Sequence, residues 1–308
     1  MQIRLEPPPV YFMHVPKTAG TALGSWLRAG YRAQDYIDLD IPQVLACPPE
    51  RLSRIRCYHS WHHGRGMYDW LGRPDLPVVT VLRDPIERTV SHFEQHRRHL
   101  ERHPELFHES YLASMAGLLG GGIEACDDLA RVAPTQAGIL GNRRDYRTFF
   151  EKARASGSEA ALRRPFGIRP IPWPAGDREA FEAGCAWLRE MPVVGLTERF
   201  GESVLLIADL LGIPPPAASP RANVNPRRPS SRGRYADEMT PKAMSRVREH
   251  CRFDLELYGI ATEMFERQWA AYRARPRRVF SLGPHLRELR ARVRRVVPVR
   301  ARRGRNPS

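Results

Sequence analysis

Apolar and β-prone residues gather in three short runs, and each run is followed by a turn and then by a helical pattern. Tyr11-Phe-Met-His-Val15 is the first. It stops at Pro16 and predicts a buried strand. Beyond Lys17-Thr-Ala-Gly-Thr21, Leu23, Trp26 and Leu27 are spaced to share one helical face. Pro77-Val-Val-Thr-Val-Leu82 predicts a second strand, Arg83-Asp-Pro85 a turn, and 86–99 a helix. Pro85 suits the first helical turn, where its missing N–H costs nothing. Pro192-Val-Val-Gly-Leu196 predicts a third strand, followed by Thr197-Glu-Arg-Phe200 and a helix to Leu211 closed by Gly212 and Pro214. Strands alternating with helices predict an α/β fold with a central parallel sheet. Residues 101–190 read as a mostly helical excursion, broken by Gly120-Gly-Gly122 and Pro170-Ile-Pro-Trp-Pro174. Residues 214–234 read as loop, and 240–272 as two helices meeting near Gly259.

The 308 residues suffice for one large domain or two ordinary ones. With 42% apolar and 27% charged residues, disorder throughout and collagen-like repeats are excluded. No apolar run approaches the ~18 residues of a membrane helix; the best, 204–213, carries Asp209. Residues 1–9 show no apolar segment of a secretory signal. Five irregularly spaced cysteines suit reduced thiols better than a disulfide framework, so a cytoplasmic location is expected.

The net charge of +15 changes little once located. Residues 273–308 hold thirteen arginines against one acid, Glu288, so the other 272 residues carry only +3. Lysines number three (Lys17, Lys152, Lys242), a usage that reflects a GC-rich genome more than a binding surface. The tail also carries a stripe, Leu282, Leu286, Leu289, Val293 and Val296, at helical spacing. Such a basic amphipathic helix packs on its own domain, pairs with a second chain in a homo-oligomer, or lies peripherally on the inner face of a membrane. Nucleic acid is a poorer partner, because no aromatic residues interleave the arginines. The expected organisation is a domain over 1–272 and a tail over 273–308.

Two of the turns carry candidate chemistry. A strand feeding a helix through a short Gly-containing turn leaves N–H groups at the helix start that favour an anion. Lys17 adds a mobile charge, and Thr18 and Thr21 add hydroxyls. The ATP-type GxxxxGK[ST] loop is absent. In the second turn, Arg83 stands at a strand's carboxyl end, where open α/β sheets bind ligands. An Arg there can grip a phosphate by two parallel bonds, and Ser91 can add another. The competing readings are an ordinary turn with a surface lysine, and an Arg83 paired with Asp84 or Glu87.

His14-Val-Pro-Lys-Thr-Ala-Gly-Thr21 resembles the 5′-phosphosulfate loop of sulfotransferases that use 3′-phosphoadenosine 5′-phosphosulfate (PAPS). Arg83-Asp-Pro-Ile-Glu-Arg-Thr-Val-Ser-His-Phe93 resembles their 3′-phosphate element, and Gly195–Phe200 and Phe253-Asp-Leu-Glu-Leu-Tyr258 resemble later landmarks. The nearest branch contains heparan sulfate 2-O-sulfotransferases and bacterial sulfotransferase-family proteins. The matches run in order over about residues 10 to 270, while 101–190 matches nothing. The resemblance implies a P-loop-like three-layer fold and transfer of a sulfuryl group to a hydroxyl of a sugar, glycolipid or other glycoconjugate, with no metal. It implies that Pro16, Lys17, Thr18, Ala19, Gly20 and Thr21 hold the 5′-phosphosulfate, with Lys17 offsetting charge on the leaving group. Arg83 and Ser91 would hold the 3′-phosphate, and a basic loop with Arg227 and Arg228 would close over the nucleotide.

The resemblance also implies a histidine base, a role that suits an imidazole titrating near neutrality. Within Cys57-Tyr-His59-Ser-Trp-His62-His63-Gly-Arg-Gly66, spacing to Gly66 favours His62, with His59 and His63 as alternatives; Trp61 stands where relatives have Gly. A metal pair of His59 and His63 is a further reading. Two rival functions stand beside the transferase: a P-loop-type kinase, and a non-enzymatic basic protein binding membrane or nucleic acid through its tail. The kinase lacks its loop motif, and Asp84 is its one candidate Mg²⁺ ligand.

Overall fold

Five strands build one sheet: β1 (Val10–His14), β2 (Tyr36–Asp38), β3 (Cys57–Trp61), β4 (Val78–Leu82) and β5 (Val193–Leu196). The computed structural model describes residues 6–61, 63–106, 109–120, 122–126, 129, 133–155, 178–216 and 233–275. All strand pairs are parallel, in the order β2-β3-β1-β4-β5. Parallel sheets are covered on both faces, which explains the unbroken apolar runs of the inner strands. Every residue of β1 and β4 is buried.

The helices that position the site are α1 (Gly20–Gly30), α2 (Gly64–Leu71), α3 (Pro85–Arg102), α4 (Gln136–Leu140), α5 (Arg178–Glu190), α6 (Phe200–Leu211), α7 (Pro241–His250) and α8 (Arg252–Ala274). The three predicted strand–turn–helix units are therefore present. The excursion is helical where it is described, with further helices at Glu109–Gly120, Gly122–Ala125 and Tyr146–Ala155. The run Pro170–Pro174 and the tail stripe from Leu282 to Val296 lie outside the described residues. Those up to Tyr272 belong to one compact unit. Among the described residues, no helix is long and apolar enough to cross a membrane.

Two features depart from the sequence reading. β2 and β3 were not foreseen: β2 has only three residues, and β3 buries His59 and Ser60 among its aromatics. The final helices meet at Cys251, not near Gly259. Gly259 sits on the solvent side of α8, where an added Cβ would meet nothing within 4 Å. A glycine there costs about 1 kcal/mol, and burial of Leu257, Ala261 and Phe265 along the same helix outweighs it.

The order of the strands matters for function. From β1 the chain moves to one side, forming β2 and β3, then crosses to β4 and β5 on the other. The switch point lies between the carboxyl ends of β1 and β4, where open α/β sheets take their ligands. Both candidate turns leave the sheet at that point.

Candidate active site

The first turn spans the five residues between β1 and α1. Lys17 (φ 71°) and Ala19 (φ 63°) are left-handed although neither is glycine. Each costs of order 1 kcal/mol, so the surrounding structure must hold them. Thr18 is buried and donates from Oγ1 to Val15 O at 2.8 Å, closing the turn on itself. Its hydroxyl thus serves the loop. Left-handed residues in a tight turn curl successive N–H groups into a concavity suited to anions, and the open end of α1 adds its own first amides.

The second turn is braced from three sides. Gln136 clamps the Arg83 main chain: Arg83 N–H donates to Oε1 at 3.1 Å, and Nε2 donates to Arg83 O at 2.8 Å. Asp254 is fully buried and accepts from the N–H groups of Gln136 and Ala137, both at 2.7 Å. Glu198 accepts from Asp84 N–H at 3.0 Å and from the Tyr258 hydroxyl at 2.7 Å. Residues 195–200 and 253–258, remote in sequence, therefore converge on the 83–84 turn. Asp84 itself caps α3 through Ile86 and Glu87.

Because β4 lies beside β1, Arg83 stands against the first loop. Its Nη1 donates to Lys17 O at 3.3 Å and its Nη2 reaches Glu87 at 3.4 Å. The predicted pairing with Glu87 is present, and it leaves the guanidinium next to the loop. Ser91 is buried two helical turns into α3. Two further cations were not assigned from sequence. Arg88 is fully buried; Nε donates to Pro16 O at 3.1 Å, Nη2 to His92 Nδ1 at 3.0 Å, and Nη1 to Pro134 O. Burial holds its pKa down, to about 10. Arg98 is close enough to act on Lys17 as well. Burial, then the charges of Arg83, Arg98 and Arg88, lower the Lys17 pKa to about 8. On α3 Arg88 lies on the side opposite Ile86, Val90 and Phe93, so the apolar stripe of that helix carried no signal for it.

The histidine cluster divides. His62 lies outside the described residues. His63 is buried, with Nδ1 at 2.8 Å from the Tyr146 hydroxyl and the rings edge to face. His59 is 3% exposed, between Phe12 and Trp61. Its Nδ1 is 2.7 Å from Asp38 Oδ1 and 2.7 Å from the Tyr36 hydroxyl, and its Nε2 is 2.9 Å from His14 Nδ1. His59 and His63 thus engage different partners and do not face a common ion. Among the described residues, no group of three His, Cys, Asp or Glu has the arrangement to hold a metal.

Arg227 and Arg228 also lie outside the described residues. The chain re-enters at Gly233, and Arg234 donates from Nη2 to Asp84 Oδ2 at 2.6 Å, with Nε 3.8 Å from Glu87. The end of that loop is therefore tied to the start of α3, beside Arg83.

Comparison with protein-family models finds no match to this chain. Comparison with curated proteins finds none either. What the site can do rests on its own geometry. Several cations and a nest of N–H groups meet at a strand switch point, and one amine is held below its ordinary pKa by burial and, after it, by like charges. At an effective dielectric of 20, unit charges 4 Å apart interact by about 4 kcal/mol. A bound anion would relieve that repulsion, so the residues present suit a phosphate or similar anionic group.

Proposed function

We propose that this chain is a PAPS-dependent sulfotransferase acting on a hydroxyl of a carbohydrate or glycoconjugate. The observation that carries the reading is the meeting of the two turns: the Lys17 loop and the Arg83 turn, 66 residues apart, are joined by Arg83 Nη1 and Lys17 O. In this reading the amides of 17–21 hold the 5′-phosphosulfate, and Arg83 and Ser91 hold the 3′-phosphate. The acceptor oxygen forms a bond to sulfur while the bond from sulfur to the bridging oxygen breaks. 3′-Phosphoadenosine 5′-phosphate leaves, and Lys17 offsets the charge that develops on it. The acceptor's proton passes to a histidine.

His62 remains the proposed base. His59 is buried and committed to Asp38 and His14, which suits support of the loop better than contact with an acceptor. Positioning and charge stabilisation supply most of the catalysis, as in phosphoryl transfer. The kinase reading loses ground on one observation. Asp84, its candidate Mg²⁺ ligand, already caps α3 and accepts from Arg234.

The test is transfer of label from ³⁵S-PAPS to a panel of hydroxyl-bearing glycans and glycolipids. Incorporation that disappears in Lys17→Ala supports the proposal. Failure to label any acceptor, combined with phosphate transfer from ATP, would replace it with the kinase.

A further inference from the structure

The ladder between β4 and β5 ends at the pair Leu82–Leu196, and side chains take over from there. Thr197 Oγ1 donates to Leu82 O at 3.0 Å, and Glu198 accepts from Asp84 N–H at 3.0 Å. Between them, the Gln136 carboxamide pairs with both the N–H and the C=O of Arg83, at 3.1 and 2.8 Å. A primary amide offers a donor and an acceptor side by side, as a neighbouring strand would. The four successive polar groups from Leu82 O to Asp84 N are thus all bonded, and the main chain of the turn is set before any ligand arrives.

The head of Arg83 is held differently. Its Nη1 and Nη2 lie 3.3 and 3.4 Å from Lys17 O and Glu87 Oε2, beyond the roughly 2.7–3.2 Å of ordinary bonds. A guanidinium has five N–H donors, and among the described residues only these two long bonds engage it. A rigid stem with a lightly engaged head suits bidentate capture of a phosphate. Gln136 is itself held in place. Asp254 accepts from the Gln136 and Ala137 N–H groups, each at 2.7 Å, through its two carboxylate oxygens. Burying a carboxylate is costly unless it is bonded; the two amides and the nearby charge of Arg88 compensate this one. Arg88 in turn donates to Pro134 O, two residues before Gln136, and to Pro16 O in the first loop. Residues 134–137 are therefore tied to Arg83 through Gln136 and to the first loop through Arg88.

We propose that Gln136 and Asp254 are positioning residues that set the recognition of the donor's 3′-phosphate. Asp254 fixes the start of α4, Gln136 passes that placement to the Arg83 main chain, and Arg83 presents its guanidinium already oriented. Neither Gln136 nor Asp254 touches the donor. The inference rests on the reading of Arg83 as the 3′-phosphate ligand. Without the clamp, Arg83 and Ser91 are still present, but Arg83 has to be ordered as the ligand arrives, and that cost falls on the 3′-phosphate alone.

Calorimetry with 3′-phosphoadenosine 5′-phosphate and with AMP, which lacks only the 3′-phosphate, gives a ratio of Kd values in which the contribution of the first loop cancels. The ratio is measured for the full chain, for Gln136→Met and for Asp254→Asn. Methionine has a similar length and no amide. Asparagine keeps the shape of Asp254 but turns one of its acceptors into a donor. Misplacing a binding group by about 1 Å can cost on the order of a hundredfold, so Gln136→Met is expected to lower the preference for the bisphosphate by about tenfold or more. Its affinity for AMP is expected to stay nearly unchanged, and Asp254→Asn is expected to lower the preference by less. A purely structural role would weaken both ligands together. That result, or an unchanged ratio, overturns the proposal and leaves the reading of Arg83 intact. No preference for the bisphosphate in the unmutated protein overturns both. Hydrogen exchange of the unmutated protein supplies a check that needs no variant. The Arg83 amide is expected to be protected before nucleotide is added, and free exchange that slows only with nucleotide bound would refute the clamp.

Discussion

Replacing Lys17 by methionine removes a charge that the fold holds at a cost. Methionine keeps most of the apolar stem and inherits the same left-handed backbone, so the comparison isolates the ammonium. Burial and the charges of Arg83, Arg98 and Arg88 bring the Lys17 pKa from 10.5 to about 8. At roughly 1.4 kcal/mol per pH unit, that is about 3 kcal/mol against the folded state while the lysine is charged. The amine is partly exposed, and screening reduces the figure to about 2 kcal/mol. The sign follows from proton counting. Between pH 8 and 10.5 the unfolded chain binds more protons than the native one, so stability rises with pH across that window. Below pH 8 both states are charged and the full cost is present; above 10.5 both are neutral and it is gone. Lys17→Met is therefore expected to be more stable than the unmutated protein by about 2 kcal/mol at pH 7, with the gap closing as pH rises from 8 to 10.5. Urea denaturation followed by tryptophan fluorescence at pH 7, 9 and 10.5 measures it. A gap that is absent at pH 7, reversed, or unchanged at pH 10.5 would refute the electrostatic account of the loop.

Three further substitutions probe the supports. Ala19→Val puts a β-branched residue at φ 63°; it is expected to cost about 1–2 kcal/mol beyond alanine and to weaken nucleotide binding, read by urea midpoint and calorimetry. Arg88→Met leaves the carbonyls of Pro16 and Pro134 without their donor. A loss of about 2 kcal/mol is expected, together with a higher Lys17 pKa because one like charge is gone; NMR of labelled lysine reads the second effect. Gly24→Ala drives a Cβ toward His59. Overpacking of about 1–3 kcal/mol exceeds the roughly 1 kcal/mol gained in helix propensity, so the melting temperature is expected to fall, and an unchanged value would count against the close packing of α1 on His59.

The pattern of residues disclosed the three strand–turn–helix units because parallel strands buried on both faces must be apolar throughout, and their helices carry clear stripes. The two candidate turns were legible for the same reason: Lys17 and Arg83 stand where such strands end. β2 and β3 were not legible. Tyr36–Asp38 is too short to show a period, and Cys57–Trp61 hides a histidine, His59, that its bonds to Asp38 and His14 make acceptable indoors. His59 read as a candidate base because of its neighbours His62 and His63; that it instead bonds His14 depends on the register pairing Phe12 with His59. Arg88 lay in plain view within the Arg83 element, yet its carbonyl partners at Pro16 and Pro134 follow from topology alone. The same holds for Gln136, Glu198 and Asp254, which are far from Arg83 in sequence and adjacent to its turn in space.

The central claim is that this loop and turn hold a nucleotide with both a 5′- and a 3′-phosphate. Calorimetric titration of the full chain with 3′-phosphoadenosine 5′-phosphate, beside ADP and AMP, tests it without knowledge of the acceptor. The account predicts tight binding of the bisphosphate, much weaker binding of ADP and AMP, and loss of that preference in Arg83→Ala. Equal affinity for all three, or a preference for ADP that grows with Mg²⁺, would contradict it.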